Sequence, residues 1–239
     1  MMLRRKILAL GALLPFVSSQ AMAKRRRKHR HPYPRVAAAE SARAGETTAS
    51  QSLPETVRIF KRSYQEEAAG RMTAALEALN ALSDSDRASY LALLRRGWLL
   101  YQAGRHADAV AAYSQALAKE PGSIEARLGR LLPRMALRQW PAVEAGAKEV
   151  VELDPVNYLG GLRLAYAVYN QGRFADAERL YRRTLARYPS DADLRAGVGW
   201  SLLKARRPAE ARQMFVEALA AAPDSALILK GLHACDQPA

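Results

Sequence analysis

Cysteine is almost missing from this chain: Cys235 stands alone among 239 residues. No internal disulfide and no paired-cysteine metal site can therefore form. Aromatics make up only 7% and glycine and proline are modest, while alanine is abundant, a profile that leans towards helix. No glycine-rich phosphate loop and no zinc-protease helix motif occurs. The four histidines, His29, His31, His106 and His233, have no nucleophile or carboxylate partner at helical spacing. His29 and His31 sit among cations that would repel a dication. These absences argue against an enzyme, a cofactor or a bound metal.

Acidic residues are absent from the first 35 positions, which hold ten Lys and Arg: Arg4, Arg5, Lys6, Lys24, Arg25, Arg26, Arg27, Lys28, Arg30 and Arg35. The whole chain carries a formal charge of +14. Removing that segment leaves 27 bases against 23 acids. The body is nearly balanced, and the basicity belongs to a tail.

The chain start has the three parts of a secretory signal peptide: a charged Arg4-Arg5-Lys6, an apolar Ile7 to Val17, and Ala21-Met22-Ala23. Eleven apolar residues span roughly 16 Å as helix, about half a bilayer's hydrocarbon core. Export with cleavage after Ala23, to the periplasm or the medium, is the expectation; an uncleaved N-terminal membrane attachment is the alternative. The basic run from Lys24 should hinder ordinary threading. Arg4-Arg5-Lys6-Ile7-Leu8 resembles the twin-arginine signal, so general and twin-arginine export both stay open. Lys24–Arg35, with Pro32 and Pro34, reads as an extended basic arm, and residues 36–52 read as a flexible linker. The arm residues Lys24, Arg25, Arg26, Arg27, Lys28, Arg30 and Arg35 suit an acidic polymer or anionic lipid. A merely solubilising segment is the other reading.

Beyond the linker, prolines fall at 121, 155, 189 and 223, each 34 apart. Two residues later stand Ser123, Asn157, Asp191 and Ser225, and one period earlier Ser89. These are side chains that cap the free N–H groups of a helix start. In mid-period Gly70, Gly104 and Gly172 share one phase, as a tight turn between antiparallel helices requires. Small residues recur at Ala75, Ala109, Ala177 and Ala211, and large ones four later at Leu79, Tyr113, Tyr181 and Phe215. Three further on, Leu82, Ala116, Thr184 and Ala218 complete one helix face.

This pattern resembles the tetratricopeptide repeat, a 34-residue helix–turn–helix unit. The resemblance assigns units 56–89, 90–123, 124–157, 158–191 and 192–225, then a capping helix and tail over 226–239. It implies an all-α, right-handed α-solenoid of antiparallel helix pairs. Unit 124–157 departs most: Leu131 replaces the small residue of its first helix, Arg138 the turn glycine and Val143 the inter-helix alanine. Pro133 should bend or shorten that helix. Unit 56–89 lacks the terminal proline, with Arg87 in its place.

In this family, the first helices line a concave groove where ligands lie. Carried onto this chain, position five of each unit gives Phe60, Leu94, Leu128, Leu162 and Ala196. Position nine gives Tyr64, Trp98, Leu132, Tyr166 and Trp200, and position twelve gives Glu67, Tyr101, Met135, Tyr169 and Leu203. Positions nine and twelve share a helix face. The expected groove is an aromatic and aliphatic ladder of the kind that anchors a peptide or helix. The same rings would equally serve as packing between units. No unit carries the Asn at position nine found in members that clamp acidic tails, although Arg95 and Arg163 at position six offer a contact to a ligand acid. His106 occupies a position where the family packs an aromatic. The reading is a non-enzymatic protein-binding scaffold of a bacterial-type cell envelope. The alternative is a polyanion- or membrane-surface binder attached through residues 24–35. Specific nucleic-acid binding is not expected, because RNA-reading repeats usually have a period of 35.

Overall fold

The structure, a computed structural model, describes Leu53–Gln237, which lie within one compact unit. The expected signal peptide, the expected basic arm Lys24–Arg35 and the expected linker 36–52 fall outside the described residues. The described residues form twelve α-helices: α1 (Glu55–Ala68), α2 (Met72–Ala78), α3 (Asp84–Arg87), α4 (Tyr90–Gln102), α5 (His106–Lys119), α6 (Ile124–Ala136), α7 (Trp140–Leu153), α8 (Tyr158–Asn170), α9 (Phe174–Leu185), α10 (Ala192–Lys204), α11 (Pro208–Ala221) and α12 (Ala226–Ala234). A 3-10 turn, Leu79–Ala81, follows α2. No described helix is long and apolar enough to cross a membrane.

Capping sets the register. Each first helix from α4 to α12 follows Ser89, Ser123, Asn157, Asp191 or Ser225, so the starts recur every 34 residues. Ser89, Ser123, Asn157 and Asp191 each accept a hydrogen bond from the backbone N–H three residues on. At the C-terminal ends the chain turns through a left-handed residue: Gly70, Gly104 and Gly172 at φ near 77°, but Arg138 at 56° and Arg206 at 60°. In each of these two turns the next residue's N–H closes the helix by reaching four residues before the arginine, as Gln139 does to Arg134 O at 2.9 Å and Arg207 to Leu202 O at 3.0 Å.

Two elements differ from expectation. Pro133 lies inside α6 but does not shorten it: α6 has thirteen residues, like α4, α8 and α10. Pro133 falls in the last turn, where its missing N–H costs one hydrogen bond and the helix is about to end anyway. In the first unit, the second helix stops early at Ala78 and is followed by the separate turn α3. Ser83 explains the break, since its hydroxyl accepts from Asp86 N at 3.1 Å and starts a new helix.

Save for α2 and the short α3, each helix packs on the next along the chain, and the first helices α4, α6, α8, α10 and α12 also touch in succession. The result is the all-α solenoid of helix pairs. Large rings on second helices key the units together. A Cβ added at Gly97 or Gly129 would lie 2.9 Å or 2.3 Å from the ring of Tyr113. Gly199 and Gly231 admit Phe215 in the same way, at 2.8 Å and 2.4 Å, and Gly197 admits Tyr181 at 2.5 Å. Each ring thus lies against the bare backbone of a first helix, which fixes the spacing between layers. Units one and three carry Leu79 and Ala147 at the ring's position, and there the next unit has Arg95 and Arg163 in place of glycine. Both arginines are 5% exposed and fill the volume that a ring fills elsewhere.

Candidate functional site: the face of the first helices

Half-buried apolar side chains run along the first helices: Phe60 on α1, Leu94 and Trp98 on α4, Leu128, Leu132 and Met135 on α6, Leu162 and Tyr166 on α8, and Leu203 on α10. Tyr64 is 51% exposed and Leu91, one turn before Arg95, is 52% exposed. These residues keep apolar surface in contact with water along successive helices, which is the condition for binding an apolar partner surface.

Six expected groove residues turn inward instead, Ala196 among them at 1% exposure. Tyr101, Tyr169 and Trp200 are buried because each leans onto the second helix of its own pair: Tyr101 on His106 with ring centroids 5.6 Å apart, Tyr169 on Phe174 at 5.3 Å, and Trp200 on Phe215 at 5.4 Å. Burial pushes the Tyr169 hydroxyl up to about 12. The indole N–H of Trp200 is sealed without a partner. Arg95 and Arg163 lie between units, for the volume reason given above. His106 packs on Tyr101 with the two ring planes tilted by 43°, as a packing aromatic could.

The arrangement at the first end of the face was not foreseen. Arg95 donates to Glu67 Oε2, to Ser63 O at 2.9 Å and to Ser63 Oγ at 3.3 Å, with its guanidinium 3.8 Å from the centroid of Tyr64. Trp98 donates its indole N–H to the other oxygen of Glu67 at 2.5 Å. Glu67 thus locks α1 to α4 and orients the Trp98 ring. The pair is invisible in sequence, being 28 residues apart, until the register of the repeats is known. Trp140, the first residue of α7, was also missed: it meets Tyr166 edge-on at 5.6 Å and steadies that ring from the start of the preceding helix.

On the second helices, Glu144 is buried and accepts from Lys148 Nζ at 2.7 Å, Gln171 Nε2 at 2.7 Å and Arg173 Nη1 at 3.0 Å. These donors, Lys148 first, hold its carboxyl down at about 2. Lys148, Arg173, Asp176, Arg179 and Arg183 rim a shallow cleft of about 350 Å³ beside it. Asp176 bonds Arg173 at 3.0 Å and Arg179 at 2.5 Å, so most of that charge is internally matched. Among the described residues no three His, Cys, Asp or Glu side chains gather as a metal site would need.

A tetratricopeptide repeat model matches residues 62–124 and 162–226, more than half of the chain. The gap between the two matches falls on the departing third unit. Among solved structures, MamA of Desulfovibrio magneticus RS-1 superposes with a TM-score of 0.65 at 15% identity, covering 73% of this chain and 100% of that one. MamA of strain MSR-1 gives 0.61 at 22% identity, covering 72% and 98%. YrrB, described as a TPR protein with an unusual peptide-binding site, gives 0.62 at 15% identity, covering 80% and 98%. At these identities the likeness is one of fold. Comparison with curated proteins finds no match. With its 34-residue capping register, its helix pairs and these matched segments, the chain belongs to the tetratricopeptide repeat family.

Proposed function

We propose that the protein is a non-enzymatic scaffold that holds a partner polypeptide against the face of its first helices. The observation that carries this is the row of half-exposed apolar side chains on α4, α6 and α8, centred on Trp98, Leu132 and Tyr166. Glu67 holds the Trp98 ring and Trp140 props that of Tyr166, so little side-chain freedom is lost when a partner arrives. The peptide-binding description of the structural neighbour YrrB agrees with this reading. Changing Trp98, Leu132 and Tyr166 together to alanine should cut partner capture at least tenfold with the far-UV helical signal retained. Undiminished capture would refute the assignment. Trp200 is left out of the test because its ring is core.

The envelope setting rests on the chain start. The tripartite pattern ending at Ala23 supports export, with the basic arm at the new N-terminus. Terminal sequencing of the protein from fractionated cells should read Lys24-Arg25-Arg26; an intact Met1 in the cytosolic fraction would exclude it. The arm's charge supports an added contact with an acidic polymer or anionic lipid, weakening steeply with salt.

A further inference from the structure

On the side of α6 turned to α5 and α7, the third unit carries arginine where other units carry core. Arg127, Arg130 and Arg134 stand three and four residues apart and share one helix face. In the fourth unit the same places hold Gly161, Leu164 and Val168, and no other unit has more than one arginine among them. Arg127 donates to Glu149 Oε2 at 3.0 Å, to Ser123 O at 3.3 Å and to Pro121 O. Arg134 donates to Ala142 O at 3.3 Å, beside Gly146, whose added Cβ would lie 3.8 Å from Arg134 Nη1. Arg130, between them, is the least provided for. Its Nε is sealed without a partner, and its hydrogen bond to Ser114 Oγ on α5 is long, at 3.5 Å. That hydroxyl spends its proton on Val110 O at 2.8 Å and has only lone pairs to offer.

Burial draws Arg130 below the ordinary arginine value; Arg134 and Arg127 push it the same way, and Glu149 alone opposes them. Glu149 is also the one carboxylate bonded to the row, so three cations and one acid leave a surplus of two positive charges. Arginine stems often cover apolar surface in place of core side chains. That use does not require a guanidinium nitrogen to be sealed and unbonded, a condition that calls for a reason of its own. We propose that Arg130, flanked by Arg127 and Arg134, binds a dianionic phosphate group in the seam between α5 and α7. A dianion balances the surplus charge, and a guanidinium fork grips two phosphate oxygens at once. Arg130 is half-buried rather than enclosed, so its outer nitrogens are open to such a group. The phosphate is the free ion or the end of a soluble monoester. The site lies on the second-helix side and does not depend on a partner lying along the first helices.

The test is calorimetric titration of the full-length protein with sodium phosphate and with glycerol 3-phosphate. The pH is about 8, where both are mainly dianions, and sodium chloride holds the ionic strength constant. One site with a Kd below about 1 mM is expected. Arg130→Gln should weaken it at least tenfold. Glutamine in place of Arg25, Arg26 and Arg27, or of Arg183 on α9, should leave it unchanged. Ser114→Asp supplies an acid beside Arg130 from within the protein. It should abolish binding and raise the thermal midpoint relative to Ser114→Asn, so a folding defect in Arg130→Gln does not decide the matter. Tighter binding of the ester assigns the group to a larger soluble molecule, and equal or weaker binding assigns it to the free ion; either upholds the site. Absence of saturable binding by both ligands overturns the proposal. Binding that survives Ser114→Asp, or that is lost only with the Arg25, Arg26 and Arg27 substitutions, also overturns it.

Discussion

Arg138 and Arg206 hold backbone conformations that suit glycine. With φ at 56° and 60°, they close the turns of units three and five where Gly70, Gly104 and Gly172 close the others. A side chain in this region costs on the order of 1 kcal/mol. Both are exposed, so glycine would remove that strain without opening a cavity. Arg138→Gly should stabilise the protein by about 1 kcal/mol in denaturant unfolding; a loss of stability would show that the arginine side chain contributes more than its backbone costs. The need for a left-handed residue at Arg138 was legible from register alone. The fate of Arg95 and Arg163 was not. Their inward course depends on Leu79 and Ala147 leaving space that Tyr113, Tyr181 and Phe215 fill in other layers. Volume complementation between residues on different helices has no signature in a one-dimensional pattern.

Between elements, Glu144 ties α7 to the turn joining α8 and α9 through Gln171 and Arg173. Its carboxyl sits at about 2 against an ordinary 4.5. A depressed acid contributes stability that is present above the unfolded value and lost as pH falls towards the folded one. Stability should therefore drop across the window from about 4.5 to about 2, and Glu144→Gln should flatten that limb while lowering stability at pH 7. The checking measurement is urea unfolding at several pH values, and an unchanged acid limb in the variant would contradict this role. Helix starts were readable because Ser89, Ser123, Asn157 and Asp191 cap by local chemistry. The early end of α2 was harder to see. Ser83 is one of several Ser and Asp residues in a row, and only the geometry shows which of them starts α3. Pro133 leaves the length of α6 unchanged: it removes a single backbone donor and is itself buried.

At the scale of the repeat body, stability and function share one organisation. Each unit meets its neighbours along the series, so the third unit, with Leu131, Val143 and buried Pro133 in place of the family's residues, joins two more regular halves. The fold could be read from the 34-residue beat, whereas the groove could be read only in part. Position nine is a surface ring at Tyr64, a half-covered one at Trp98 and Tyr166, and core at Trp200. Which it becomes depends on the partner ring: Phe215 covers Trp200, while Trp140 only props Tyr166. The claim that matters most is that a partner lies along the first helices. A photo-reactive residue placed at Leu132, on the middle of that face, tests it directly against one at Val216, exposed on the second helix α11. On irradiation in cells, the Leu132 position should form one dominant polypeptide adduct, reduced when Trp98 and Tyr166 are alanine. Equal labelling at Val216, or none at Leu132, would contradict the account.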